Sequence, residues 1–293
     1  MTWKSTLKQT IFMTVIMFGV WTLTSGLLRG LTGFSDPEAL GPDKALAPLP
    51  GLFGACLLNV LLIVWFVHRS RYSGLKLAWI VFIIIFGVMF FMTQIETVYF
   101  NYAVKMPWQI IFSTMVTGVF VGLAVSWLSV RYKNKLDAQH EYGPSGSEHN
   151  FLPGILWKFG VLSVIYLIFY FMFGYFIAWQ FPALREFYTG STNILPFLTH
   201  MQQQIIADPW LMLFQLFRGL LWAGIACAVV INIDMQKTTQ WEKRILVGFA
   251  LSIGIAAPLL IPNNYMPGAV RLGHFFEVLA ENYLFGFIAA VLL

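Results

Sequence analysis

Residues 79–91 read WIVFIIIFGVMFF, an apolar run that no charged or strongly polar side chain interrupts. A half-buried β-strand would alternate polar and apolar residues, and this run does not. A helix needs about 20 predominantly apolar residues to cross a bilayer, and the apolar context here extends over residues 76–98. The run therefore predicts a membrane-spanning helix rather than a strand of a membrane β-barrel.

The composition of the whole chain agrees with this interpretation. Of its 293 residues, 58% are hydrophobic and only 11% are charged, and the mean hydropathy is +0.73. Soluble domains are about 45–50% apolar and about 25% charged. A soluble fold of this length would lack the polar residues to cover its core, and intrinsic disorder is excluded by the same numbers.

Eight windows of the sequence are long and apolar enough to be membrane spans. We therefore predict an all-α fold, a polytopic transmembrane helix bundle that forms a single integral membrane domain over residues 1–293. A duplication of four plus four spans is compatible with this number, but no shared sequence motif supports it. The windows are 9–28, 51–67, 76–98, 107–130, 155–179, 210–232, 243–262 and 273–293.

The distribution of basic residues predicts the orientation in the membrane. If the N-terminus is cytoplasmic, 12 of the 18 Lys and Arg residues fall on the cytoplasmic side and 6 on the other. This bias is typical of cytoplasmic loops and accounts for the formal charge of +5 without a nucleic-acid partner. We expect both termini in the cytoplasm of a bacterial-type cell, with the lipid bilayer of the plasma (inner) membrane as the surroundings.

The last predicted span carries a stripe of ionisable residues. Arg271, His274, Glu277 and Glu281 are spaced by three, three and four residues, which places all four on one helical face. A central charge costs about 3 kcal/mol on insertion scales, so these residues must face the bundle interior or water. Two further spans carry charges in the same half of the membrane, Glu96 in the third and Arg218 in the sixth. We expect these spans to be neighbours, which makes a candidate substrate- or proton-binding set of Glu96, Arg218, Arg271, His274, Glu277 and Glu281.

Three interpretations of this set remain open. In the first the charges are structural, with Arg218 paired to Glu277 or Glu281 and Arg271 paired to Glu96, in an assembly subunit. In the second they bind or translocate a small solute or ion through a polar pocket in the outer half, where carboxylates and a histidine trade protons and the Arg218 fork holds an anionic group.

The third interpretation is a metal site at His274 and Glu277, which one helical turn separates. A metal that activates water there would make the protein a metal-dependent intramembrane hydrolase. The sequence contains no nucleotide-binding, metalloprotease or serine-hydrolase motif, so it assigns no catalytic residue and indicates no cofactor.

The connection between the fifth and sixth spans contains a second amphipathic pattern. Leu198, Met201 and Ile205 recur at helical spacing, opposite Gln202 and Gln203. The pattern predicts a short helix that lies in the membrane interface.

Taken together, Gln94 and Glu96, the turn at residues 262–267 and the stripe on the last span resemble uncharacterised bacterial multi-pass membrane proteins. The resemblance covers mainly the second half of the chain. It implies a multi-pass fold and brings no activity, substrate or cofactor. Binding or translocation of a small solute or ion remains the function that we expect.

Overall fold

A computed structural model describes residues 3–33, 47–138 and 154–293. Within these ranges the chain is helical and contains no named strand. A single helical turn, Asn101–Val104, follows the third long helix, and 3₁₀ turns, Ala178–Gln180 and Ala257–Leu260, extend two others. The α-helices are α1 (Trp3–Thr32), α2 (Pro48–Arg69), α3 (Gly74–Tyr99), α4 (Trp108–Asp137), α5 (Ile155–Phe176), α6 (Pro182–Thr189), α7 (Phe197–Ala207), α8 (Trp210–Asn232), α9 (Gln240–Ala256) and α10 (Gly268–Leu292).

The predicted all-α bundle is confirmed. The described residues contain eight helices that are long and apolar enough to cross a membrane, and each predicted window overlaps one of them. α4 continues to Asp137, past the predicted end at residue 130, because the polar residues that follow are good helix formers. The remaining two helices, α6 and α7, lie in the connection between α5 and α8, where the sequence predicts a short helix.

Local sequence signals set several helix ends. Thr239 caps α9, since its side-chain oxygen accepts a hydrogen bond from the backbone N–H of Glu242 at 3.1 Å. Pro182 begins α6, where its missing N–H costs nothing. Gly190 ends the same helix with a φ of 69°, a left-handed conformation that favours glycine.

The middle of α3 is wound as a π-helix from Ile83 to Phe91. A π-helix is wider than an α-helix, and such segments occur frequently at functional sites. Gly87 lies inside this segment, where an added Cβ would meet Ile225 of α8 at 3.6 Å. Because of this segment, Gln94 and Glu96 at the end of α3 point in a different direction around the helix axis than they would on an uninterrupted α-helix.

The eight long helices pack as two similar halves. In the first half α1 contacts α2 and α4, and α4 contacts α2 and α3. In the second half α5 contacts α8 and α10, and α10 contacts α8 and α9. The helices α5, α8, α9 and α10 thus correspond to α1, α2, α3 and α4. Between the halves α2 contacts α9, α8 contacts α3, and α3 contacts α9. The two halves therefore pack in a similar way, except that α8 also contacts α9 whereas, among the described residues, no comparable contact joins α2 to α3.

The two halves are joined at one end by the turns that follow α2 and α8. The backbone N–H of Arg71 donates to the carbonyl of Asn232 at 2.8 Å, and that of Asp234 donates to the carbonyl of Arg69 at 2.7 Å. Lys133 of α4 is buried and donates to the carbonyl of Ser70 at 3.0 Å. We call this end, with its Arg and Lys side chains, the basic end, and we call the opposite end, where α6 and α7 lie, the far end.

Glycines allow the closest helix contacts in both halves. The sequence places Gly118 and Gly122 on α4, and a Cβ on either would collide with Phe90 or Phe82 of α3. In the second half an added Cβ on Gly286 of α10 would lie 2.7 Å from the carbonyl oxygen of Val247 on α9. Small residues therefore bring corresponding helix pairs together in each half.

Replacing Gly286 with valine should destabilise the bundle by about 1–3 kcal/mol, because the new side chain meets the rigid backbone of α9. The measurement is thermal unfolding of the purified protein in detergent. Gly224→Val is the matched control, since no atom lies within 4 Å of a Cβ added at Gly224 on α8. Equal melting temperatures for the two variants would contradict the close packing of α9 against α10.

Candidate functional site

The ionisable stripe of α10 faces the interior of the bundle at two of its positions. Glu277 and Glu281 are buried, whereas Phe276 on the opposite face is exposed. At 1.5 Å rise per residue, Glu277 lies about 14 Å and Glu281 about 20 Å from the start of α10. Since the helix runs from Gly268 to Leu292, Glu281 is close to the middle of the span.

His274 joins the stripe to α6 through two hydrogen bonds. Its Nδ1 lies 2.6 Å from Oε2 of Glu277, and its Nε2 lies 3.1 Å from the hydroxyl of Tyr188. Close packing places Tyr188 there, since a Cβ added at Gly273 on α10 would lie 3.2 Å from Phe181, just before α6. The result is a continuous chain of protonatable groups from α6 to the interior of the bundle.

A bidentate ion pair joins α8 to α3. The two terminal nitrogens of Arg218 donate to the two carboxylate oxygens of Glu96, at 3.0 and 2.7 Å. Arg218 is only 1% exposed, whereas the side chain of Glu96 is 29% exposed. Gln215, one turn before Arg218, accepts a further hydrogen bond from it at 3.0 Å. Because α3 belongs to the first half and α8 to the second, this pair crosses the boundary between the two halves.

Glu281 is the deepest acidic residue of the cluster. It is 2% exposed, and its Oε1 has no hydrogen-bond partner among the described residues. It lies within electrostatic range of Glu277, Arg218 and Glu96. Two buried donors of the ion-pair region also lack a partner among the described residues, namely Nε of Arg218 and Nε2 of Gln215. Buried polar atoms of both kinds, left without protein partners, are typical of a site that holds water or a polar ligand.

Helix α5 forms one wall of this cluster. A Cβ added at Gly174 would lie 3.2 Å from Oε1 of Glu277, so the absence of a side chain leaves space for this carboxylate. Further along α5 the ring of Tyr166 has its centroid 5.7 Å from the guanidinium carbon of Arg218. Ser163 donates to the carbonyl of Leu216 at 2.6 Å and so fastens α5 to α8.

Arg271 stays outside the cluster, and the predicted pairing of Arg271 with Glu96 is wrong. Arg271 instead donates to the carbonyl oxygens of Met266 at 2.7 Å and Asn263 at 3.4 Å, in the turn before α10. Glu96 pairs with Arg218, so the alternative pairing of Arg218 with Glu277 or Glu281 is wrong as well. The turn at residues 262–267 therefore provides the backbone carbonyls that accept hydrogen bonds from this guanidinium group.

The metal interpretation gains no support from the geometry. Within residues 3–33, 47–138 and 154–293, no three His, Cys, Asp or Glu side chains form a group that could hold a metal ion. His274 and Glu277 are hydrogen-bonded to each other. Metal binding by these two residues stays a prediction of the sequence.

Tyr188 and Gly174 are functional candidates that the sequence does not indicate. Tyr188 lies between the fifth and sixth spans, far along the chain from His274, and its role depends on a contact between α6 and α10. Burial and the nearby carboxylate of Glu277 raise the pKa of the Tyr188 hydroxyl, so this group keeps its proton at neutral pH. Gly174 has no side chain, and only the packing of α5 against Glu277 reveals its importance.

The chemistry of the cluster is acidic on balance. Three carboxylates, those of Glu96, Glu277 and Glu281, are accompanied by one guanidinium and one imidazole. The cluster can therefore exchange protons or attract a small cation. Family models, curated proteins and solved structures give no match to this chain.

The charge pair between α3 and α8 should be essential for stability. Glu96→Gln leaves the buried guanidinium of Arg218 without a counter-charge, which costs roughly 3–5 kcal/mol. Thermal unfolding in detergent should therefore show a markedly lower melting temperature, and the double variant Glu96→Gln/Arg218→Met should recover much of the loss. Glu186→Gln, an exposed change on α6, is the control and should unfold like the unchanged protein.

Proposed function

We propose that this protein binds a small cation and moves it across the plasma membrane. The proton is included among these cations. The binding site is the cluster of Glu96, Arg218, His274, Glu277 and Glu281. In this proposal both termini face the cytoplasm, so that the basic end is cytoplasmic and the far end is external. The observation that carries the proposal is Glu281, a carboxylate buried mid-span whose Oε1 has no partner among the described residues.

The charge balance favours a cation over an anion. The sequence alone leaves open that Arg218 binds an anionic substrate through its guanidinium fork. In the structure both ends of this fork are engaged by Glu96. The carboxylates of Glu277 and Glu281 then lie one helical turn apart, with His274 hydrogen-bonded to Glu277 and with Arg218, already paired to Glu96, within electrostatic range of Glu281. Two neighbouring buried carboxylates bind either a proton or another cation, because they do not both remain ionised without one.

The position of the cluster supports transport rather than simple binding. Many membrane transporters consist of two structural repeats, with the coupling-ion site near the bilayer midplane at the interface of the repeats. Here the pair of Arg218 and Glu96 crosses the two halves, and Glu281 lies near the middle of α10. A relative movement of the halves would therefore act directly on the groups that bind the ion.

A structural role is the second candidate, and the bidentate pair of Arg218 and Glu96 favours it. A buried ion pair that links two halves is sufficient to hold a bundle together without any transport. The two candidates differ in what they predict for Glu281. A structural carboxylate should lower stability when it is changed, whereas a transport carboxylate with an unpartnered oxygen should not.

Glu281→Gln tests the proposal in proteoliposomes. The purified protein is reconstituted into liposomes, and uptake of H⁺, Na⁺ and K⁺ is followed under an imposed potential. We expect the unchanged protein to carry at least one of these ions. A glutamine amide stays neutral and neither carries a negative charge nor takes up a proton. Glu281→Gln should therefore lower that flux by about tenfold or more. The melting temperature should stay the same or rise, since neutralising a buried carboxylate removes a desolvation cost.

Glu186→Gln provides the matched control on the surface of α6 and should leave the flux unchanged. Two results would contradict the proposal. The first is a flux of all three ions that does not exceed that of empty liposomes. The second is a Glu281→Gln variant that carries ions at the full rate.

A further inference from the structure

We infer that the ion is the proton, and that it enters through a relay that begins at Tyr188 and runs through His274 and Glu277 to Glu281. This inference rests on the proposed function and specifies its substrate. It adds a residue, Tyr188, that lies outside the eight spans and that no sequence pattern indicates. It is supported by the hydrogen bonds that join Tyr188 to His274 and His274 to Glu277, and by the position of Glu281 one helical turn beyond Glu277.

The two contacts of the His274 ring are compatible with both of its charge states. In the neutral ring, Nδ1–H donates to the Glu277 carboxylate and Nε2 accepts from the Tyr188 hydroxyl. In the charged ring both nitrogens donate, and the hydroxyl oxygen of Tyr188 becomes the acceptor. A tyrosine hydroxyl can play either part, so the ring can gain and lose a proton without losing a hydrogen bond. A lysine or a backbone N–H in place of Tyr188 could only donate.

The relay conserves protons at every step. As a proton from water at the far end reaches the hydroxyl oxygen of Tyr188, the hydroxyl proton passes to Nε2 of His274, so that Tyr188 is never left ionised. The charged ring then releases the proton on Nδ1 to Oε2 of Glu277. This leaves a neutral ring with its proton on Nε2, which must return to the Nδ1–H tautomer before it carries a second proton. Glu277 passes its proton to Glu281, one helical turn deeper, where Cβ atoms on one helical face are about 5–6 Å apart. One proton has entered from water, and one has arrived on Glu281.

The available oxygen atoms fit a proton better than a metal cation. Alkali and alkaline-earth ions are bound by several oxygen atoms at once, about six for Mg²⁺ and six to eight for Ca²⁺. Both oxygens of Glu96 are engaged by Arg218, and one oxygen of Glu277 is engaged by His274. Among the described residues, no three acidic, His or Cys side chains are arranged so that they could hold one metal ion together. A proton needs only one carboxylate oxygen.

The groups that face the relay come from four elements. Their charges decide how readily each carboxylate accepts a proton, so the pH dependence belongs to the whole cluster. Arg218 favours ionised carboxylates, whereas Glu96 opposes additional negative charge. The facing groups are Glu96 on α3, Tyr102 in the turn after α3, Tyr166 and Tyr170 on α5, and Arg218 on α8.

The test compares ions and variants in the same proteoliposomes. Proton uptake is followed with a pH-sensitive dye trapped inside, and Na⁺ and K⁺ uptake with the corresponding radioisotopes. We expect the unchanged protein to carry protons without Na⁺ or K⁺. Tyr188→Phe keeps the ring but removes the hydroxyl, and we expect it to slow proton uptake by at least about tenfold. Tyr283→Phe is the control, since the ring of Tyr283 on α10 packs against Phe249 and Phe287 rather than against the relay.

A second measurement does not depend on flux. Infrared difference spectra between acidic and alkaline samples should show the carbonyl band of a protonated carboxyl group that Glu281→Gln removes. His274→Ala should lose proton uptake and recover part of it when imidazole is added, which a purely structural histidine would not do.

The outcomes separate this inference from the proposed function. Uptake of Na⁺ or K⁺ without protons would overturn the proton inference and leave cation transport standing. Proton uptake that is unchanged in both Tyr188→Phe and His274→Ala would overturn the relay. No uptake of any of the three ions would overturn both.

Discussion

The structure depends on one constraint, that a guanidinium group buried in a membrane-spanning bundle must meet a carboxylate. Arg218 is almost completely buried on α8, and Glu96 of α3 satisfies it with two parallel hydrogen bonds. Because α3 and α8 belong to different halves, this single pair fixes how the halves meet at the level of the cluster. Because the guanidinium of Arg218 is paired with Glu96, the negative charges of Glu277 and Glu281 must be neutralised by another group or by a bound cation. The acidic character of the site follows from this pairing.

The two halves resemble each other in their helix packing and not in their side-chain chemistry. α4 and α10 occupy corresponding places, and glycines bring each of them close to the helix before it. The interior of α10 carries Glu277 and Glu281, whereas α4 carries hydroxyl groups, and Thr117 lies 3.5 Å from Ser25 of α1. Helix packing tolerates either carboxylate or hydroxyl side chains at these interior positions as long as small residues remain at the helix contacts. This explains why the sequence shows no repeat although the helices are arranged as one.

The parts of this structure that the sequence predicts are those encoded locally. The eight spans follow from apolar run length, and the shared face of His274, Glu277 and Glu281 follows from helical spacing. The pairing of Glu96 with Arg218 rather than Arg271 could not be predicted, because it depends on which helices are neighbours. The helix at residues 197–207 shows the same limit. Its apolar residue Leu198 is 78% exposed, whereas His200 packs against the rings of Tyr175 and Trp179.

The two ends of the bundle are held together by different kinds of interaction. At the basic end, backbone hydrogen bonds connect the turns after α2 and α8, and these bonds do not titrate. At the far end, the contact between α6 and α10 includes a hydrogen bond between the hydroxyl of Tyr188 and the ring of His274, a side chain that can gain or lose a proton. A change in the protonation of His274 therefore acts on the contact between α6 and α10 and leaves the backbone hydrogen bonds of the basic end unchanged. In a transport cycle we expect proton binding to loosen or tighten α6 against α10 while the backbone contacts at the basic end persist.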